Sequence, residues 1–115
     1  MSYDLRVLVK AEGCDGYAVV GYPEYDEPTY NLRDMFVACM DWNYKQGEAY
    51  PAQTVLKKID HGIMELSGHP ERYEQYNPSN GWGSLESALE TLESARKCIF
   101  ECAEEYPIEF LYFRW

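Results

Sequence analysis

The sequence predicts an α+β fold: a short, mostly antiparallel three-stranded sheet, elements in the order β-β-α-α-α-β, with helices packed on one face. Three observations carry this expectation. The opening stretch alternates apolar and polar residues at the period of a strand. Three later stretches repeat apolar residues at the period of a helix, and the closing IEFLYFRW returns to strand-like composition. At 115 residues, 46% of them hydrophobic, the chain reads as one domain spanning 1–115 with core enough to fold without staples.

Residues 3–11 place Tyr3, Leu5, Val7 and Val9 on one face and Asp4, Arg6, Leu8 and Lys10 on the other, the pattern of a half-buried strand. EGCDG then makes a tight connection to YAVVGY at 17–22, which completes an antiparallel hairpin. PEYDEPTY at 23–30, with two prolines and three acids, is a loop. Asn31 is placed as the N-cap of a helix carrying Leu32, Met35, Phe36, Cys39 and Trp42 on one stripe, ended by NYKQGEAY. A second helix is expected from about Pro51, its stripe running Ala52, Val55, Leu56, Ile59, Ile63 and Leu66 to a stop at Ser67-Gly68. HPERYEQY at 69–76 reads as a short helix opened by Pro70, and NPSNGWGS at 77–84 as a polar turn. Ser84 opens the longest helix, expected to about Glu105, and Pro107 precedes the final strand.

The totals exclude several functions. With 10 Lys and Arg against 20 Asp and Glu, the net charge is −10. Affinity for a nucleic-acid duplex or an anionic membrane comes from cations, so direct binding to either is not expected. No secretory leader and no spanning run are read, which makes the cytoplasm the expected compartment. Cys14, Cys39, Cys98 and Cys102 do not form a disulfide framework, because Cys39 and the Cys98/Cys102 pair fall on apolar helix faces. His61 and His69 are the only histidines, and no Cys/His set has zinc-ligand spacing. No nucleophile context of the hydrolase kind occurs either. A non-enzymatic protein with no cofactor and no metal is therefore the expectation.

One segment invites a ligand. In N-P-S-N-G-W-G-S, Gly81 and Gly83 flank Trp82 immediately before the longest helix. A helix start leaves backbone N–H groups unpaired, glycines let an anion approach them, and the indole offers a stacking face. Asn80, Trp82, Gly83 and Ser84 form the candidate site, with Asn31 and Arg33 as a second anion contact. The same residues have a structural reading, Trp82 as a core plug and Ser84 as a cap.

N-L-R-D-M-F at 31–36, followed by P-E-R-Y-E-Q-Y-N-P-S-N-G-W-G-S at 70–84, resembles a set of small, largely uncharacterised phage and mobile-element accessory proteins. The resemblance spans roughly residues 30–115 and rests on Asn31, Leu32, Met35, Tyr73, Asn77, Pro78, Asn80, Gly81, Trp82 and Gly83. It implies an α+β fold, a phage origin and hence the cytoplasm of a bacterial host cell, and it implies no particular activity. Small phage accessory proteins often counter host defence, either by sequestering a nucleotide signal or by blocking a defence protein. Two readings follow. In the first, the chain is a sponge for a nucleotide-like anionic ligand. In the alternative, it is an acidic inhibitor of a host defence nuclease, a nucleic-acid mimic that binds through Glu86, Glu90 and Glu93. A structural or interaction subunit forming a homo-oligomer is the third.

Overall fold

Alternating side chains at each end of the chain build the centre of one sheet. The computed structural model describes residues 4–10, 13, 16–25, 30–78 and 83–115. Strand β1 is Arg6–Lys10, β2 is Tyr17–Gly21, β3 is Ala49–Pro51 and β4 is Leu111–Arg114. They lie in the order β2-β1-β4-β3, and every neighbouring pair is antiparallel. The two ends of the chain are thus central, with Val7 opposite Phe113 and Leu8 opposite Tyr112.

The sheet has four strands where three were expected. The extra one, β3, lies in the segment read as the end of the first helix. Three residues are too few to display a two-residue period, and Pro51 argues against a strand anywhere but at an edge. Here β3 is an edge, so the missing N–H costs no ladder bond. Gly47 N–H donates to Trp115 O at 2.7 Å just ahead of it.

Helix α1 is Arg33–Met40, α2 is Ala52–Gly68 and α3 is Leu85–Ala103. Asn31 is not the N-cap of α1: it sits within a 3-10 turn, Tyr30–Leu32, and Leu32 takes the cap position with no capping side chain. The 69–76 segment, read as one short helix opened by Pro70, forms two short 3-10 helices, Pro70–Arg72, which Pro70 does open, and Glu74–Tyr76. The final strand is shorter than expected, because Ile108–Phe110 is a 3-10 turn and only Leu111–Arg114 enters the sheet.

All three helices cover one face of the sheet. Leu5, Val7, Leu111, Phe113 and Trp115 are buried there against Phe36, Val55, Ile59, Leu92 and Ile99. Trp115 anchors an aromatic cluster, its ring centroid 5.2 Å from Phe36, 5.4 Å from Tyr44 and 5.6 Å from Phe113. Two glycines permit the closest approaches. A Cβ on Gly62 would lie 2.9 Å from Leu92 Cδ1 and 3.0 Å from Met40 Cγ, where α2 meets α3 and α1. One on Gly21 would lie 2.7 Å from Cys102 Sγ, where β2 meets α3. Among the described residues, no helix lies on the opposite face of the sheet.

Candidate functional site

The start of α3 is tightly capped. Ser84 Oγ accepts from Ser87 N–H at 3.1 Å, and Ser87 Oγ accepts from Ser84 N–H at 3.0 Å, a reciprocal capping box. Asn77 Oδ1 accepts from Leu85 N–H at 2.9 Å. The N–H groups that a bound anion would use are therefore largely engaged, and Glu86 adds a negative charge to the first turn. Gly83 has φ +98, a left-handed conformation that suits glycine. Asn80 and Trp82, the remaining members of this candidate site, lie outside the described residues. Arg33 reaches the segment that follows its own helix: Nη2 donates to Asn43 Oδ1 at 3.2 Å and to Tyr44 O at 3.0 Å, and the guanidinium lies 4.7 Å from the Tyr44 ring centroid. Asn31 is exposed.

The acidic residues are better assembled. Glu86, Glu90 and Glu93 are all exposed on α3, and the helical period continues their line through Lys97 to Glu101 and Glu104. Five carboxylates thus follow one edge of the helix over about 27 Å. The line borders a groove of ≈ 600 Å³ between α2 and α3, lined by Asp60, Ile63, Arg96 and Phe100 together with Glu93, Lys97, Glu101 and Glu104. Its apolar element is Phe100, 45% exposed, with Ile63 at its side; Met64, next in sequence, is 63% exposed. Both cations in the groove are committed: Arg96 Nε to Asp60 Oδ1 at 2.8 Å, its guanidinium 4.7 Å from the Phe100 ring centroid, and Lys97 Nζ to Glu101 Oε1 at 3.9 Å. What the groove presents is an apolar strip with an acidic rim.

A second polar cluster escaped the sequence reading. His61 Nδ1 lies 2.8 Å from Cys39 O, so that nitrogen carries the proton, and Nε2 faces Glu65 Oε1 at 3.8 Å. Glu65 is half-buried and its Oε2 lies 3.6 Å from Arg72 Nη1. Burial raises the Tyr73 phenol above its ordinary range, and the Glu65 carboxylate adds to the effect. The cluster ties α2 to the 3-10 turns that follow it. Its members are spread from Cys39 to Tyr73 in sequence, and the helical i, i+4 spacing of His61 and Glu65 was the one signal available.

The three thiols among the described residues are poorly placed to act as nucleophiles. Cys39, Cys98 and Cys102 are free and buried, and burial pushes Cys39 and Cys98 up to about 12. Among the described residues no group of His, Cys, Asp or Glu is arranged to hold a metal ion, and no helix is long and apolar enough to cross a membrane. Compared with protein-family models, with curated proteins and with solved structures, the chain matches nothing.

Proposed function

We propose that this chain is a non-enzymatic binding protein whose acidic helical face engages a basic surface on a partner protein. The observation that carries the reading is the groove between α2 and α3, where Phe100 and Ile63 lie beside a line of carboxylates. Protein interfaces combine a desolvated apolar centre with a polar rim, and complementary charge steers the encounter. A rim of this sign suits a surface rich in Arg and Lys, the kind that holds nucleic acid. The resemblance to phage accessory proteins does not choose between the readings; inhibition of a host defence nuclease is the form this one takes within that class. The nucleotide-sponge reading at the start of α3 is less favoured because its backbone donors are already bonded to Ser84, Ser87 and Asn77.

The test is affinity capture from bacterial lysate at low and high salt, with the wild type beside the triple variant Glu86→Lys/Glu90→Lys/Glu93→Lys. The expected result is a basic protein retained by the wild type, released by salt and not retained by the variant. Retention of the same protein by both chains, or of nothing by either, overturns the reading.

A further inference from the structure

The uncovered face of the sheet has the opposite character from the helices. Arg6, Leu8 and Lys10 of β1 point to it, with Tyr112 and Arg114 of β4 and Tyr17 and Val19 of β2. Three of the chain's ten Lys and Arg residues gather here, in a molecule of net charge −10. Their placement is costly in one respect: Arg6 and Arg114 are direct register partners, and like charges directly opposite on antiparallel strands destabilise a sheet. Arg6 Nη1 donates to Leu5 O, and its guanidinium lies 4.5 Å from the Tyr22 ring centroid. The Arg114 guanidinium makes no hydrogen bond or ion pair among the described residues, and it lines an open hollow of ≈ 550 Å³.

That hollow crosses the sheet from Tyr17 and Val19, over Leu8, to Arg114, Ala49, Gly47 and Glu48. Its volume falls in the range of small-molecule sites, about 300–1,000 Å³. One end is apolar and aromatic. Tyr17 is 44% exposed, meets Tyr112 edge to face at 5.1 Å, and has Lys10 Nζ 5.7 Å from its ring centroid. The other end is the Arg114 guanidinium, which can hold a phosphate by two parallel hydrogen bonds. The one carboxylate at the rim, Glu48, accepts from Tyr50 Oη at 3.0 Å and stands at the Arg114 end. Its negative charge opposes a chain of phosphates at that end.

We propose that the uncovered sheet face is a nucleotide site, with the base packed on the exposed Tyr17 beside Val19 and a single phosphate held by Arg114. Aromatic side chains on an open antiparallel sheet offer bases a stacking surface, and neighbouring cations hold the phosphate. Net negative charge does not oppose this, because the local cations decide. The site is independent of the α2–α3 groove, so neither proposal falls with the other.

The test is an NMR titration of the full ¹⁵N-labelled chain with AMP, adenosine and ATP. AMP is expected to shift the amides of Leu8, Tyr17, Val19, Ala49 and Arg114 saturably. Adenosine should bind at least about tenfold more weakly, the size of one charge-assisted hydrogen bond, and ATP should bind no more tightly than AMP. Arg114→Ala should reduce AMP to the affinity of adenosine while Arg114→Lys keeps part of the gain. Tyr17→Ala should weaken AMP by about 5- to 150-fold, the range of one stacked base. The dispersion of the same spectra reports that each variant is folded. Equal affinity for AMP and adenosine, indifference to both alanine variants, or no saturation by AMP overturns the proposal. So do shifts confined to Ser84–Ser87, which return the ligand to the start of α3.

Discussion

Glu90 stands between two like charges, Glu86 four residues before it and Glu93 three after, all exposed on the same edge of α3. Like charges at these spacings destabilise a helix by about 0.2–0.5 kcal/mol a pair, and opposite charges stabilise it by a similar amount. Glu90→Lys reverses both pairs. The sum is roughly 0.8–2 kcal/mol, and the exposure of these side chains brings the expectation to the lower end, about 1 kcal/mol. Competing effects are small: Glu and Lys have nearly equal helix propensity. Residue 90 also lies beyond the first turn, where the helix dipole acts most strongly.

For a domain of this size 1 kcal/mol corresponds to about 4 °C in melting temperature. Thermal unfolding followed by circular dichroism at low ionic strength should show that rise. At about 1 M salt, where the screening length is about 3 Å, it should largely vanish. The same variant should weaken the capture of a basic partner. A stability gain coupled to a binding loss is what a surface kept acidic for recognition must show. An unchanged or lowered melting temperature, or a gain that survives high salt, refutes the reasoning.

Ser84→Ala removes the acceptor for Ser87 N–H and should cost about 1 kcal/mol in urea unfolding, whereas Ser84→Asp, which restores an acceptor, should recover most of it. Cys39 and Cys98 should resist a thiol reagent at neutral pH in the folded chain and react once it is unfolded. Their folded pKa values, raised by burial from 9.0 to about 12, also set a pH dependence. The thiols titrate near 9 when unfolded, so their contribution is complete below that pH and is lost progressively as pH rises toward 12. Urea midpoints on either side of pH 9 check the sign.

Local patterns were the legible part of this chain. The alternation of Leu5, Val7 and Val9 against Arg6, Leu8 and Lys10 foretold which face of β1 would be buried, with one exception. Leu8 faces away from the helices and is still only 3% exposed, because the Tyr17–Tyr112 ring pair bridges over β1. Ser84 was readable as a cap because its signal is contained within four residues. Long-range register was not readable. Nothing near Arg6 announces that Arg114 will lie opposite it, and β3 becomes a strand only because β4 offers it an edge. The groove between α2 and α3 depends likewise on which turns of two helices meet, so Asp60 and Arg96 pair across 36 residues of sequence.

The same limit explains why a total charge misleads about recognition. A value of −10 averages a carboxylate-lined helix edge with a sheet face carrying Arg6, Lys10 and Arg114. A helix with its side chains is about 10–12 Å across, and the screening length at physiological salt is about 8 Å. An ion approaching the open sheet through solvent is therefore governed by the cations it meets there, and the acids beyond the helix layer are largely screened. The converse holds for a basic protein approaching α3. Composition excludes a polyanion that must wrap the whole surface, but it is silent about a ligand small enough to see one face.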